Sequence, residues 1–179
     1  MKKKIYQLSL LLLSILVFSC TQPPKQTETA QTKEAEIPSE PVEFKDFGSE
    51  PFVFNVEEYT LQNETYRTSI WTGTHMQMTV MTLQPGEDIG LELHTDIEQF
   101  IRVEEGEGVI KMGDSENNLS FERTLSDDFG VFIPAGKWHN LINTSSDKTL
   151  KLYSIYSPVE HPHSTVHKNR EEGAEAHVH

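Results

Sequence analysis

From Met76 to Ile155 the apolar residues recur at every second position, and turn residues cut the pattern into short runs. Met76-Gln77-Met78-Thr79-Val80-Met81 alternates and then turns at Gln84-Pro85-Gly86-Glu87. Gln99 to Val103 alternates and ends at Gly106-Glu107-Gly108, and Val109 to Met112 turns at Gly113-Asp114. Phe129 to Ile133 runs into Pro134-Ala135-Gly136, and Leu141 to Asn143 and Leu150 to Ile155 close the series. A period of two puts successive side chains on opposite faces of a strand. Strands punctuated every eight to twelve residues or so build an antiparallel sandwich or barrel. Helix is expected only over Val56 to Leu61 and near Asn169 to Ala176.

The ends of the chain read differently. Met1-Lys2-Lys3-Lys4 precedes an apolar run from Leu8 to Phe18, interrupted by Ser9 and Ser14. That run is too short for a permanent bilayer span and reads as a secretory signal over 1–19. It ends in Leu16-Val17-Phe18-Ser19-Cys20, which resembles a bacterial lipobox, so Cys20 is expected to be the lipidated first residue of the mature protein. Cys20 is the only cysteine, which leaves the mature domain without intrachain disulfides or a catalytic thiolate. Residues 20–43 are rich in Gln, Thr, Lys, Glu and Pro and are expected to be a disordered tether. The folded part is placed at 44–160, large enough for one core, and 161–179 reads as a His-rich tail. The formal charge is −13, and loss of the three lysines in 1–19 makes it −16. Such a surface argues against nucleic acid as a partner. The expectation is a protein of the cell envelope, anchored to a membrane by lipid.

Two segments carry the chemistry. In Glu92-Leu93-His94, the first and third side chains share a strand face and can reach one ion. A further donor must come from the next strand, where Glu98 and Gln99 point to opposite faces. If Gln99 points inward, so do Ile101 and Val103, and Arg102 meets solvent. If Glu98 points inward, Arg102 is buried with it, at high cost. Alternation therefore favours Gln99, although a bulge between Asp96 and Phe100 would reverse it. His139 comes from the second segment, after the Pro134-Ala135-Gly136 turn. Asn143 follows four residues later on the same face, where its amide could hold a loop.

These residues resemble the two motifs of the cupins, specifically the small conserved-barrel group. Pro134, Gly136, His139 and Asn143 match the second motif, with Asp128 where a glycine usually stands. In the first motif Gly106 matches, and counting six residues back lands on Gln99, in agreement with the alternation. His94 matches the second histidine, and Glu92 stands in place of the first. The resemblance covers about Phe44 to Tyr156 and implies an all-β fold, a single double-stranded β-helix (jelly-roll) barrel. It also implies a mononuclear site for a divalent metal ion, here Glu92, His94, Gln99 and His139. The usual three imidazoles and one carboxylate become two imidazoles, one carboxylate and one amide, with the carboxylate moved to the first histidine position. This oxygen-richer set suits Mn or Fe over Cu, and Zn tolerates the same mix.

Other residues read more plainly. His161, His163, His167, His177 and His179 are expected in a solvated tail that binds transition metals weakly; a flap over the barrel mouth is the alternative for the first three. His75 is expected at the surface. Arg67 and Trp71 fit pocket lining, edge packing or a contact in a homodimer. Trp138, Phe121, Phe129 and Phe132 read as core. Two functions stay open. One is a metal-dependent enzyme of isomerase, lyase or dioxygenase type acting on a small polar substrate. The other is a non-catalytic, membrane-tethered module that binds a small molecule or metal, with a structural lipoprotein keeping a vestigial site as a third possibility. The fold does not choose among them. A second acid or base in the pocket, beyond the ligands, would favour the enzyme.

Overall fold

The computed structural model describes residues 40–176. The signal and Cys20 lie outside the described residues, as does the tether up to 39. No described helix is long and apolar enough to cross a membrane. A helix, α1 (Val56–Gln62), precedes the strands β1 (Arg67–Thr72), β2 (Gln77–Leu83), β3 (Glu92–Leu93), β4 (Glu98–Glu105) and β5 (Glu107–Gly113). Then come β6 (Phe121–Ser126), β7 (Gly130–Ile133), β8 (Trp138–Asn143), β9 (Leu150–Ser157), β10 (Val166–His167) and a second helix, α2 (Arg170–Ala176). The strands form a six-stranded sheet in the order β10-β1-β2-β9-β4-β7 and a four-stranded sheet in the order β3-β8-β5-β6. Every pairing between them is antiparallel. This is the all-β barrel that the period of two implied.

The alternation does the packing. β9 buries Leu150, Leu152, Ser154 and Tyr156 and turns Lys151, Tyr153 and Ile155 away from the core. β4 does the same with Gln99, Ile101 and Val103 against Phe100 and Arg102. Met81, Leu83, Ile110, Leu125, Val131, Ile133 and Leu141 complete one apolar core. Burying each such side chain stabilises by about 1.5–3 kcal/mol before conformational entropy is counted.

The motif glycines and Asn143 pin the turns. Gly106 has φ +93°, and a Cβ there would lie 2.5 Å from the Thr149 carbonyl oxygen. Gly136, at φ +78°, donates its N–H to the His94 carbonyl at 2.7 Å and so ties the second motif to the first. Asp128, at the position where the family's glycine would stand, also has a positive φ of 71°, a conformation aspartate tolerates better than most residues. Asn143 donates to the carbonyls of Leu83 (3.1 Å), Gln84 (3.0 Å) and Lys148 (2.9 Å) and accepts the Ser145 N–H at 3.0 Å. It holds two loops, as its place after His139 suggested.

The histidine-bearing stretch after residue 160 departs from the solvated reading. His161 is buried, and its backbone N–H and C=O are both gripped by the buried Gln77 amide at 2.8 Å. β10 pairs with β1, bringing His167 opposite Arg67. Asp46 accepts hydrogen bonds from Gly48, Thr72 and Ser164 and so ties the N-terminal segment and this stretch to β1. α2 is fixed by Arg170 on Asp88 at 2.6 Å and by Gly173 against the Tyr66 ring. His75 and His163 are exposed, and His177 and His179 lie outside the described residues.

The expected aromatic core also needs correcting. Phe121, Phe129 and Phe132 are 41%, 50% and 79% exposed. β6 and β7 are edge strands of their sheets, and Phe132 points outward between the buried Val131 and Ile133. It packs against Phe100 with ring centroids 4.9 Å apart. Trp138 is half-buried at the wall of a cavity and is not part of the core.

Candidate metal centre

β3 and β8 bring the first two donors together by register, since Glu92 pairs directly with His139. His94 follows β3 by one residue and, two positions after Glu92, returns to the same face. Glu92 Oε2 lies 3.5 Å from His94 Nε2 and 3.6 Å from His139 Nε2, and the two imidazole centroids are 5.3 Å apart. One ligand atom from each of the three residues falls within 4.8 Å of the others, and all three side chains are buried. Gln99 also points into the barrel while Glu98 is exposed, as the alternation required. Gln99 donates its amide N–H to Ser154 Oγ at 2.7 Å.

The polar atoms have the character of a ligand set. His139 Nδ1 lies 2.9 Å from the Lys137 carbonyl. A carbonyl only accepts, so this bond puts the proton on Nδ1 and leaves a lone pair on Nε2. His139 Nε2, His94 Nε2 and Gln99 Oε1 are buried without a hydrogen-bond partner. Such atoms are costly in a folded interior, and a cation beside Glu92 would satisfy the two imidazole nitrogens. A buried Glu-His-His group of this kind could hold a metal ion.

Charge around the group is dense. Arg67 is almost fully buried, with Nη2 3.5 Å from Glu92 Oε1. Burial disfavours its charge, but Tyr156 and Glu92 outweigh that and raise its pKa. Burial also works against the imidazolium of His94, yet the neighbouring Glu92 carboxylate, with help from Glu160, holds its pKa above the ordinary value. Burial pushes the Tyr66 and Tyr156 hydroxyls up, with Arg67 opposing. Above Glu92 and His94 opens a cavity of about 830 Å³, whose walls include Trp138, Tyr66, Glu160 and Arg170. Glu160 gave no signal in the sequence, because it lies beyond the last long strand, in a stretch with no periodicity. Its Oε2 stands 3.5 Å from His94 Nδ1. Of Arg67 and Trp71, Arg67 reaches the site; Trp71 instead lines a smaller apolar pocket with Phe52, Phe54 and Met78.

The model of the Cupin domain matches residues 79–156, which contain Glu92, His94, Gln99 and His139. The chain is 51% identical over 132 residues to the uncharacterized protein YrkC of Bacillus subtilis, covering 74% of this chain and 70% of the relative. The chain belongs to the cupin superfamily. This cupin is also 42% identical over 119 residues to an uncharacterized protein of Acanthamoeba polyphaga mimivirus, covering 66% of this chain and 72% of that one. Among solved structures, it resembles the protein BH2720 of Bacillus halodurans with a TM-score of 0.72 and 49% identity, over 74% of this chain and 99% of that one.

Proposed function

We propose that Glu92, His94 and His139, with the Gln99 amide oxygen as a fourth donor, hold one divalent ion, Mn, Fe or Zn. On this proposal the cavity above them receives a small polar substrate, and the cupin is a metal-dependent enzyme. The observation that carries it is the shared orientation of the imidazoles. Both present Nε2 to the same Glu92 oxygen, while each Nδ1 faces an acceptor on the other side. When bound, the ion supplies Lewis-acid polarisation of a substrate oxygen. The chain's own residues do the rest. Glu92 brings a carboxylate, and the buried Arg67 guanidinium stands 3.5 Å from it on the far oxygen. Trp138 and Tyr66 shape the walls. Glu160 gives the cavity a carboxylate outside the ligand set, which favours an enzyme over a passive binding module. Isomerase, lyase and dioxygenase chemistry are all compatible with the fold, which does not select among them.

Elemental analysis of the purified domain tests the reading. Roughly one divalent ion per chain is expected, as a single site implies, with much less in His94→Ala and His139→Ala. Equal metal in all three would sink the proposal. We further propose that the protein is tethered to the cell envelope through lipid on Cys20, on the strength of the apolar run and Leu16-Val17-Phe18-Ser19-Cys20. Palmitate labelling should disappear in Cys20→Ser; labelling that persists refutes the anchor.

A further inference from the structure

We infer that Glu160 is a positioning residue that sets the tautomer of His94 and so readies its Nε2 for a metal. The inference rests on the metal reading for its affinity consequence and on geometry alone for the tautomer. The two histidines differ in how their protons are fixed. His139 has a backbone carbonyl 2.9 Å from Nδ1, which no side-chain change removes. For His94, two carboxylates compete for the proton. Glu92 Oε2 stands 3.5 Å from Nε2, and Glu160 Oε2 stands 3.5 Å from Nδ1. Glu92 alone would draw the proton of a neutral imidazole to Nε2, the nitrogen that must present a lone pair. Glu160 offers the counterweight on the far side, the arrangement by which acceptors behind ligating histidines orient them and raise their basicity.

The backbone around Glu160 is built to hold it there. Glu160 belongs to no strand, yet its neighbour His161 is clamped at both N–H and C=O by Gln77, which is fully buried. Gln77 is in turn tied to Thr72 Oγ1 at 2.9 Å. The segment after β9 is therefore part of the site and not a tail, because it delivers Glu160 to the cavity wall.

The test compares wild type, Glu160→Ala and the nearly isosteric Glu160→Gln, all metal-free, by ¹⁵N NMR of the imidazoles at alkaline pH. In wild type, His94 should carry a substantial share of Nδ1–H. In Glu160→Ala it should move to Nε2–H while His139 stays unchanged. Zinc affinity, measured by chelator competition, should fall about 10–100-fold in Glu160→Ala. Glu160→Gln keeps an acceptor oxygen and should lose less, with both readouts moving in the same direction, and it stands as the test if the alanine variant fails to fold. Unchanged His94 tautomer and unchanged zinc affinity in both variants would overturn the inference. A wild type that takes up no zinc refutes the metal reading instead, and the tautomer shift then decides the role of Glu160 by itself.

Discussion

Replacing Asn143 by alanine should cost far more stability than its single small side chain suggests, and should leave metal binding intact. The Asn143 amide donates to three carbonyls, and its oxygen accepts one N–H. The residue is 1% exposed. Each hydrogen bond contributes about 1 kcal/mol net, and a buried group left unsatisfied costs more. The Leu83 carbonyl is buried with the amide, whereas the Lys148 and Gln84 ends of the network lie nearer solvent and can rehydrate. The sum is roughly 3–4 kcal/mol, or a fall in melting temperature on the order of 10–15 °C for a domain of this size. Asn140 provides the contrast, since it lies on the same strand, half-buried, with a single bond to Asp88 at 2.8 Å. Its alanine variant should lose about 1 kcal/mol or less. Urea titration and calorimetry of both variants give the comparison. If Asn143→Ala were no less stable than Asn140→Ala, the role assigned to Asn143 in holding the two loops would be wrong.

Two further outcomes follow from local geometry and charge. Gly106→Ala adds a Cβ 2.5 Å from the Thr149 carbonyl oxygen at φ +93°, whereas Gly90→Ala has the same φ and open space; Gly90→Ala should therefore lose only the backbone strain of about 1–2 kcal/mol, and Gly106→Ala distinctly more, as chemical denaturation will report. Asp46 is desolvated by burial, but hydrogen bonds from Ser164, Thr72 and Gly48 outweigh that and lower its pKa. Its stabilisation is therefore fully present above the unfolded value of about 3.9 and is lost as pH falls through the depressed folded value. Asp46→Asn should be less stable near neutrality and should unfold with a shallower acid dependence; an unchanged acid limb in a pH series of melting curves would count against this role.

How far the sequence reached can be seen residue by residue. The period of two was enough for the barrel, because along β4, β8 and β9 buried positions alternate with mostly half-buried ones. The same logic turned Gln99 inward and Glu98 outward, since burying Glu98 would have carried Arg102 in with it. The spacing of Glu92 and His94 put both on one face, and the turn before His139 brought it into register with Glu92. Edge strands defeated the reading. In β6 only Leu125 is buried, so Phe121–Ser126 shows no alternation, and the exposed Phe132 looks like core until its position on an edge is known. β1 hid for another reason. Its Arg67, Thr68 and Ser69 are buried, so polar residues occupy positions where an apolar pattern was sought. The stretch from Glu160 to His167 has no period at all; it is held by backbone bonds to Gln77 and by pairing with β1, and neither leaves a mark on composition.

The central claim is that two imidazoles and a displaced carboxylate share one ion. X-ray absorption on the zinc-loaded protein reads that shell directly. Two imidazole nitrogens at about 2.0–2.1 Å with oxygen donors beside them are the predicted result, falling to one imidazole in His94→Ala. A first shell with no imidazole, or one unchanged by His94→Ala, would contradict it.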